Sequence, residues 1–324
     1  MIAFLSNIFG YLLNYFYNFI GNYGIAIILF SLVVKLLMIP LSIKQQKSQQ
    51  KSMKLQNEMK QIQFKYKNDP EKLNQETMAL YKRENMSPFS GCLLAIIQMI
   101  LLFSVFYMVR EPLTYMKKIN SEQINNYVNV LKEENMVQNQ AYAQISVISE
   151  ANNIKELEQN ENMELSESQQ KLKDAIGDNL DNICTNMKFL DIDLSKVPTQ
   201  STGDYKVYII PVLYVLSSVL SMKLTTSMSS KKNKNKVDGE NIVIVDNSNE
   251  ETEENTQSKE LIEKKDEEDP MAQATKNMSL LMPIMAVSIS LIAPLGLALY
   301  WLTNNILMIL ERIVLNKLVK DEEE

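Results

Sequence analysis

Lys35 is the one charged side chain between Met1 and Ile43, and it lies inside "GIAIILFSLVVKLLMIPLSI" (Gly24–Ile43). That run is apolar and about as long as the ~20 residues a bilayer crossing needs. An ammonium at such depth costs about 2.5–3.5 kcal/mol on insertion scales. Three ordinary explanations exist. The head group snorkels to the surface, it pairs with an acid on a neighbouring helix, or the run is not a span. Lys35 precedes Lys44 by nine residues, about 13 Å of helix rise, which stretches snorkelling. The other apolar runs hold no Asp or Glu inside them, and Glu111 and Glu311 stand only at their edges. Lys35 is therefore expected to have no carboxylate partner at membrane depth. Ser31, Gln98, Ser104, Ser217, Ser218, Ser221, Thr303, Asn304 and Asn305 could line a wet cavity around it. The expectation is a hydrated, positively charged groove that suits a passing anionic group, with snorkelling or a trapped water as the alternative.

Other chemistries lack their residues. The chain has no histidine, which removes the commonest general base and metal ligand. Cys92 and Cys184 are too few for an ordinary zinc site. No phosphate-cradling glycine loop, catalytic triad, Ser–Lys pair or paired-Asp spacing is present. No catalytic residue, metal or cofactor is expected. The net charge of −6 says little, because the two faces of a bilayer must be read separately.

The elements that would position Lys35 follow from hydropathy. Spans are expected over 23–43, 89–110, 207–223, 277–292 and 295–311, the last two separated by "APLG" (Ala293–Gly296), where proline and glycine favour a bend. A single kinked helix is the alternative there. Residues 1–22 carry Asn7, Tyr11, Asn14 and Asn18 on one helical stripe with apolar residues elsewhere. They read as an amphipathic helix lying on the membrane, with a sixth span as the competing reading. The basic start and small-residue cleavage site of a signal peptide are absent.

Lys44, Lys47, Lys51 and Lys54 follow the first span, the Lys231–Lys236 cluster follows the third, and Arg312, Lys317 and Lys320 follow the last. Basic residues favour the cytoplasmic side. The N-terminus is then outside and the C-terminus inside, with Lys117 and Lys118 as exceptions at an outer end. Cys92 and Cys184 fall on opposite sides, which argues against a disulfide.

Residues 44–88 read as a cytoplasmic helical hairpin turning at Asn68–Pro70, with Asp69 as N-cap and Pro70 at the first helical position. Leu55, Met59, Ile62 and Tyr66 face Leu73, Thr77, Leu80 and Tyr81. Met53, Met59, Met78 and Met86 offer soft surface for a polypeptide partner; a plain solvated hairpin fits equally. Its lysines can hold anionic lipid at about 1 kcal/mol each. The outer segment 111–206 reads as acidic, polar and helical without strong apolar periodicity. The inner loop 224–276 reads as largely disordered over 229–270, and 312–324 as a solvated tail.

These residues resemble the YidC/Oxa/Alb membrane protein insertase family. "FSLVVKLLMIPLSIKQQKS" is similar to its first core span, which carries a groove arginine and a Pro-Leu exit. "QIQFKYKNDPEKLNQETMALYKRENMSPFSGCLLAIIQMILLFSVFYMV" is similar to its hairpin, Pro-x-x-Gly-Cys junction and Gln-containing second span. "FLDIDLSKVP" resembles the stretch before its third span, and "MPIMAVSISLIAPLGLALYWLTNNI" its last two. The resemblance implies an all-α integral membrane protein, with five transmembrane helices around a hydrophilic groove that is open to cytoplasm and lipid and closed outside. It implies insertion and folding assistance for membrane proteins without nucleotide hydrolysis.

Carried over by position, Lys35, Ser31 and Gln98 become groove residues, and Tyr300 and Trp301 contact a client helix. Asn304 joins the groove from the polar residues above, and Met53, Met59 and Met78 are the candidate hairpin contacts. The implied partners are nascent membrane proteins and a bilayer with anionic lipids, with the Sec translocon and ribosome as further candidates and no direct nucleic-acid contact. The implied location is a bacterial plasma membrane. Departures are Lys35 in place of arginine, Asn57 where proline is frequent, no N-terminal lipobox cysteine, a long outer segment and a charged inner insert. The rival class is a small transporter or channel for an anionic solute.

Overall fold

The computed structural model describes residues 1–84, 90–137, 139–160, 164–201, 203–237 and 287–321. They fall into two units, Met1–Ser217 with Val287–Glu324, and Ser218–Ala286. The candidate site lies wholly in the first.

Helix α1 (Ile2–Ile20) buries Ser6, Phe9, Gly10 and Leu13 against the helices that follow. Its opposite face leaves Phe4, Ile8, Tyr11, Tyr15 and Phe19 exposed. The asparagine edge is not simply solvated: Lys118 Nζ donates to Asn7 Oδ1 at 2.8 Å and sits over the Tyr11 ring. Lys117 lies over Tyr17, and burial pushes its ammonium below the usual lysine range. The two exceptions to the positive-inside pattern are thus spent on holding α1. Closest approach is at Gly10, where a Cβ would stand 1.9 Å from the Tyr115 carbonyl oxygen. Gly10→Val is expected to cost about 1–3 kcal/mol through overpacking, seen as a lower thermal unfolding midpoint in detergent. An unchanged midpoint would contradict this packing.

Helix α2 (Tyr23–Lys65) starts on an Asn22 cap whose side chain accepts from the Ile25 N–H at 3.1 Å. It does not stop at Ile43. It continues through Pro40 as one 43-residue helix, about 65 Å long, and becomes the first arm of the hairpin. Pro40 removes only the bond to the Leu36 carbonyl, and strong helix formers on both sides carry the helix across. Helix α3 (Pro70–Arg83) forms the second arm. Asp69 caps it, accepting from the Lys72 N–H at 3.1 Å, with Pro70 at its first turn. Leu55 and Leu80 are buried between the arms, Thr77 Oγ1 donates to Met59 Sδ at 3.8 Å, and Arg83 pairs with Glu58.

Helix α4 (Ser90–Arg110) packs on α1, where the Ser6 hydroxyl donates to the Ser104 carbonyl at 2.9 Å. The segment that follows, 111–206, contradicts the expectation of weak apolar periodicity. Helices α5 (Pro112–Tyr115), α6 (Ser121–Glu133), α7 (Ala143–Glu158), α8 (Glu167–Ile176) and α9 (Leu180–Ile183) enclose a core of their own. Ile124, Tyr127 and Leu131 from α6 meet Ile145, Ile148, Ala151 and Ile154 from α7 and Leu172 and Ile176 from α8, all buried. Ser166 and Gln169 form a reciprocal capping box on α8. Strands β1 (Lys188–Phe189) and β2 (Ile192–Asp193) close a minimal antiparallel ribbon, a small exception to an all-helical chain.

That ribbon and its continuation fix the membrane helices. Tyr23 N–H donates to the Asn186 carbonyl at 3.0 Å, Leu295 N–H to Lys196 at 3.0 Å, and Gly296 N–H to Leu194 at 2.9 Å. The first N–H groups of a helix lack intrahelical partners, and here the same short stretch supplies them to two helices. Helix α10 (Ile209–Val237) is entered through Tyr205–Tyr208. It stays helical through Ser229–Val237, which corrects the expectation of disorder from 229. Residues 287–292 are helical, and a bend at Ala293–Pro294 separates them from α11 (Leu295–Asp321). The helix therefore covers most of the expected tail.

Three described helices are long and apolar enough to cross a membrane, over Tyr23–Ser48, Tyr205–Leu224 and Leu295–Val314; Ile96–Arg110 is a shorter apolar stretch. The expected fourth span lies mainly outside the described residues, as do Met86, the insert from 238 and the last three residues.

Candidate functional site

Because one stretch of backbone anchors the N-termini of α2 and α11, the two helices start level and run the same way. Levels along them can then be compared at about 1.5 Å per residue. Ser31 lies about 12 Å below the start of α2 and Lys35 about 18 Å. On α11, Tyr300 lies about 8 Å down, Asn304 about 14 Å and Glu311 about 24 Å.

Above this zone the helices close on one another. Tyr23, Ile27, Phe30, Val105, Met108, Leu297 and Ala298 are buried, and Phe9 packs edge-on against Phe30 with centroids 5.5 Å apart. Below it the packing opens. A cavity of about 60 Å³ is lined by Ser31, Lys35, Met38, Ser42 and Gln45 of α2, Gln98 and Leu102 of α4, and Tyr300 and Asn304 of α11. By the same measure one water needs roughly 10–15 Å³, so several fit. The α2 residues recur at helical spacing and form a single stripe that leads from the buried Ser31 to the exposed Gln45.

Five expected site residues therefore share one cavity: Lys35, Ser31, Gln98, Asn304 and Tyr300. Ser31 is buried and its hydroxyl donates to the Ile27 carbonyl at 2.7 Å, leaving it an acceptor toward the cavity. Gln98 is exposed, and Tyr300 is buried. Trp301 does not line the cavity. It turns toward α10, its ring 6.1 Å from that of Tyr214, and next to it Asn305 donates to Ser217 Oγ at 3.4 Å. The hairpin methionines are divided. Met59 faces the inside of the hairpin, and Met78 is exposed on α3, where it lines a shallow hollow with Asn74, Gln75 and Lys82. Met53 lies on α2, its side chain outside the described set, like those of Asn57 and Cys92.

The expectation that Lys35 finds no carboxylate is wrong. Its Nζ lies 2.7 Å from Glu311 Oε2, with the lysine side chain 19% exposed and the glutamate 11%. Glu311 sits near the edge of its span in sequence, but the levels of the two residues differ by only about 6 Å, which the two extended side chains bridge. Glu311 is the residue that sequence reasoning missed. Its signal was present: Tyr300, Asn304 and Glu311 follow one another at steps of four and seven, on one helix face. Counting acids inside each apolar run hid that stripe. The second carboxylate oxygen, Oε1, is buried, with no hydrogen-bond partner among the described residues.

The surface around the site is apolar. Leu36 and Leu37 of α2, Ile96, Met99 and Phe103 of α4, Val212, Leu213 and Leu216 of α10, and Ile306 and Leu310 of α11 are exposed. Exposed aliphatic side chains in such number suit contact with lipid. Among the described residues no cluster of acids and cysteines could hold a metal.

A model of the 60Kd inner membrane protein family matches residues 15–323. A membrane protein insertase YidC of Clostridium perfringens is 51% identical over 87 residues, covering 27% of this chain and 37% of that protein. Its namesake in Fusobacterium nucleatum is 39% identical over 107 residues, covering 33% and 52%. That of Caldanaerobacter subterraneus is 37% identical over 109 residues, covering 34% and 53%. The matched stretches thus span between 37% and 53% of these three relatives.

Proposed function

The chain belongs to the 60Kd inner membrane protein family, and from that membership together with the cavity we propose that it inserts other membrane proteins and helps them fold, without nucleotide hydrolysis. The observation that supports this reading is the cavity bounded by α2, α4 and α11, large enough for several waters. It is sealed on the side of the outer domain and lined by Ser31, Lys35, Gln98 and Asn304. Moving a polar segment into hydrocarbon costs several kcal/mol for each unsatisfied backbone group. A water-holding cavity partway across shortens the dry distance and lowers that cost, with no energy source beyond burial of the client's own apolar helix. The client helix would leave along the exposed faces of α11 and α10, past Ile306, Leu310, Leu213 and Leu216.

In this reading five spans surround the cavity, the N-terminus is outside and the C-terminus inside, and the membrane is a bacterial plasma membrane. Helix α1 lies in the outer interface. The hairpin meets clients, the ribosome or the translocon on the cytoplasmic side, and Lys44 and Lys47 hold anionic headgroups. The rival reading, a carrier for a small anion, has Lys35 in its favour but must contend with Glu311 beside it. The test is purified protein in liposomes, supplied with a single-span client and separately with a small anion gradient. Client insertion above empty liposomes, without anion flux, is the expected result. Flux without insertion would establish the rival.

A further inference from the structure

We propose that Glu311 sets the charge preference of the cavity, so that it favours uncharged polar segments over acidic ones; this rests on the insertion reading above. Lys35 is the one charged residue among the described residues that line the cavity. An ammonium without a counter-ion there would draw acidic segments. The ion pair with Glu311 at 2.7 Å cancels that attraction to first order. An acidic client segment must then displace a carboxylate already in place, and it meets the repulsion of that carboxylate as well.

The pair still offers hydrogen bonds. A lysine ammonium has three N–H donors, and one is used on Oε2. Lys35 lines the cavity and Glu311, behind it, does not. The remaining N–H donors of Lys35 suit a backbone carbonyl or the oxygen of an Asn, Gln, Ser or Thr side chain. Such groups gain a bond without disturbing the pair. A carboxylate accepts the same bond but also meets the negative charge of Glu311.

The experiment uses the full chain in liposomes and a matched set of single-span clients. Their short outer segments carry either no charge or two Asp residues in place of two Asn. The readout is the ratio of acidic to neutral client inserted. Wild type should favour the neutral client by several-fold. Glu311→Gln should raise the ratio at least tenfold, Lys35→Gln should lower it, and Lys35→Gln/Glu311→Gln should return it near the wild-type value. If Glu311→Gln does not fold with an unpaired ammonium, Lys35→Gln against the double variant still reads Glu311, because neither carries that ammonium. The ratio must then rise when Glu311 is removed. Insertion of both clients with the same ratio whether or not Glu311 is present overturns the proposal. No insertion of either client by wild type overturns the insertion reading itself.

Discussion

Lys35→Glu is expected to lower client insertion at least tenfold, and Lys35→Arg to retain most of it. The first substitution places two carboxylates where the structure has an ion pair 2.7 Å long. Losing one partner of a buried pair costs on the order of 3–5 kcal/mol, and a like charge adds repulsion. The fall in insertion is expected because the cavity then carries negative charge where it had a paired ammonium. Arginine keeps the charge under all ordinary conditions, and its planar fork suits a carboxylate such as Glu311. The exchanged pair Lys35→Glu/Glu311→Lys should recover part of the activity, which separates loss of charge complementarity from general damage. Insertion in proteoliposomes, normalised to folded protein, is the measurement. Wild-type insertion by Lys35→Glu would remove Lys35 from the account.

Ile148→Ala should cost about 2–5 kcal/mol in the core formed by α6, α7 and α8, the range for emptying a well-packed aliphatic site. Ile148 is completely buried on α7, facing the core it shares with Leu131 and Leu172. Hydrogen exchange should then accelerate together through α6, α7 and α8. The exposed Leu190→Ala serves as the contrast, with almost no effect. Indifference to Ile148→Ala would mean that the segment is solvated rather than packed. The same damage should also reach the cavity indirectly, because the stretch from Asn186 to Lys196 caps both α2 and α11.

The hairpin was legible because its signals are local. Asp69, Pro70 and the two facing apolar stripes need no knowledge of the rest of the chain, and the helix starts where cap and proline put it. The cavity residues were legible for a related reason. Polar side chains inside apolar runs are costly, so Ser31, Lys35, Gln98 and Asn304 stood out individually. What stayed hidden depends on register between helices. The Lys35–Glu311 pair exists because a short outer stretch sets α2 and α11 level, and nothing near either residue announces it. The outer core was missed because its apolar residues sit in helices of 10–16 residues separated by polar turns, where acidic surface residues dominate the local average. The continuation of α2 through Pro40 and of α10 to Val237 was missed because proline and a Lys/Asn cluster read as breaks. A helix already formed on one side lowers the cost of extending it.

The central claim is that a client's polar segment passes through the cavity while its apolar helix runs along α11. Photo-reactive residues placed one at a time at Asn304, at Leu310 and at Leu37, which is exposed and outside the cavity lining, can report this with a single-span client arrested during insertion into liposomes. The account predicts that the client's polar segment crosslinks to position 304, its apolar segment to position 310, and neither to position 37. Crosslinking of the polar segment at position 37 but not at 304 would contradict it.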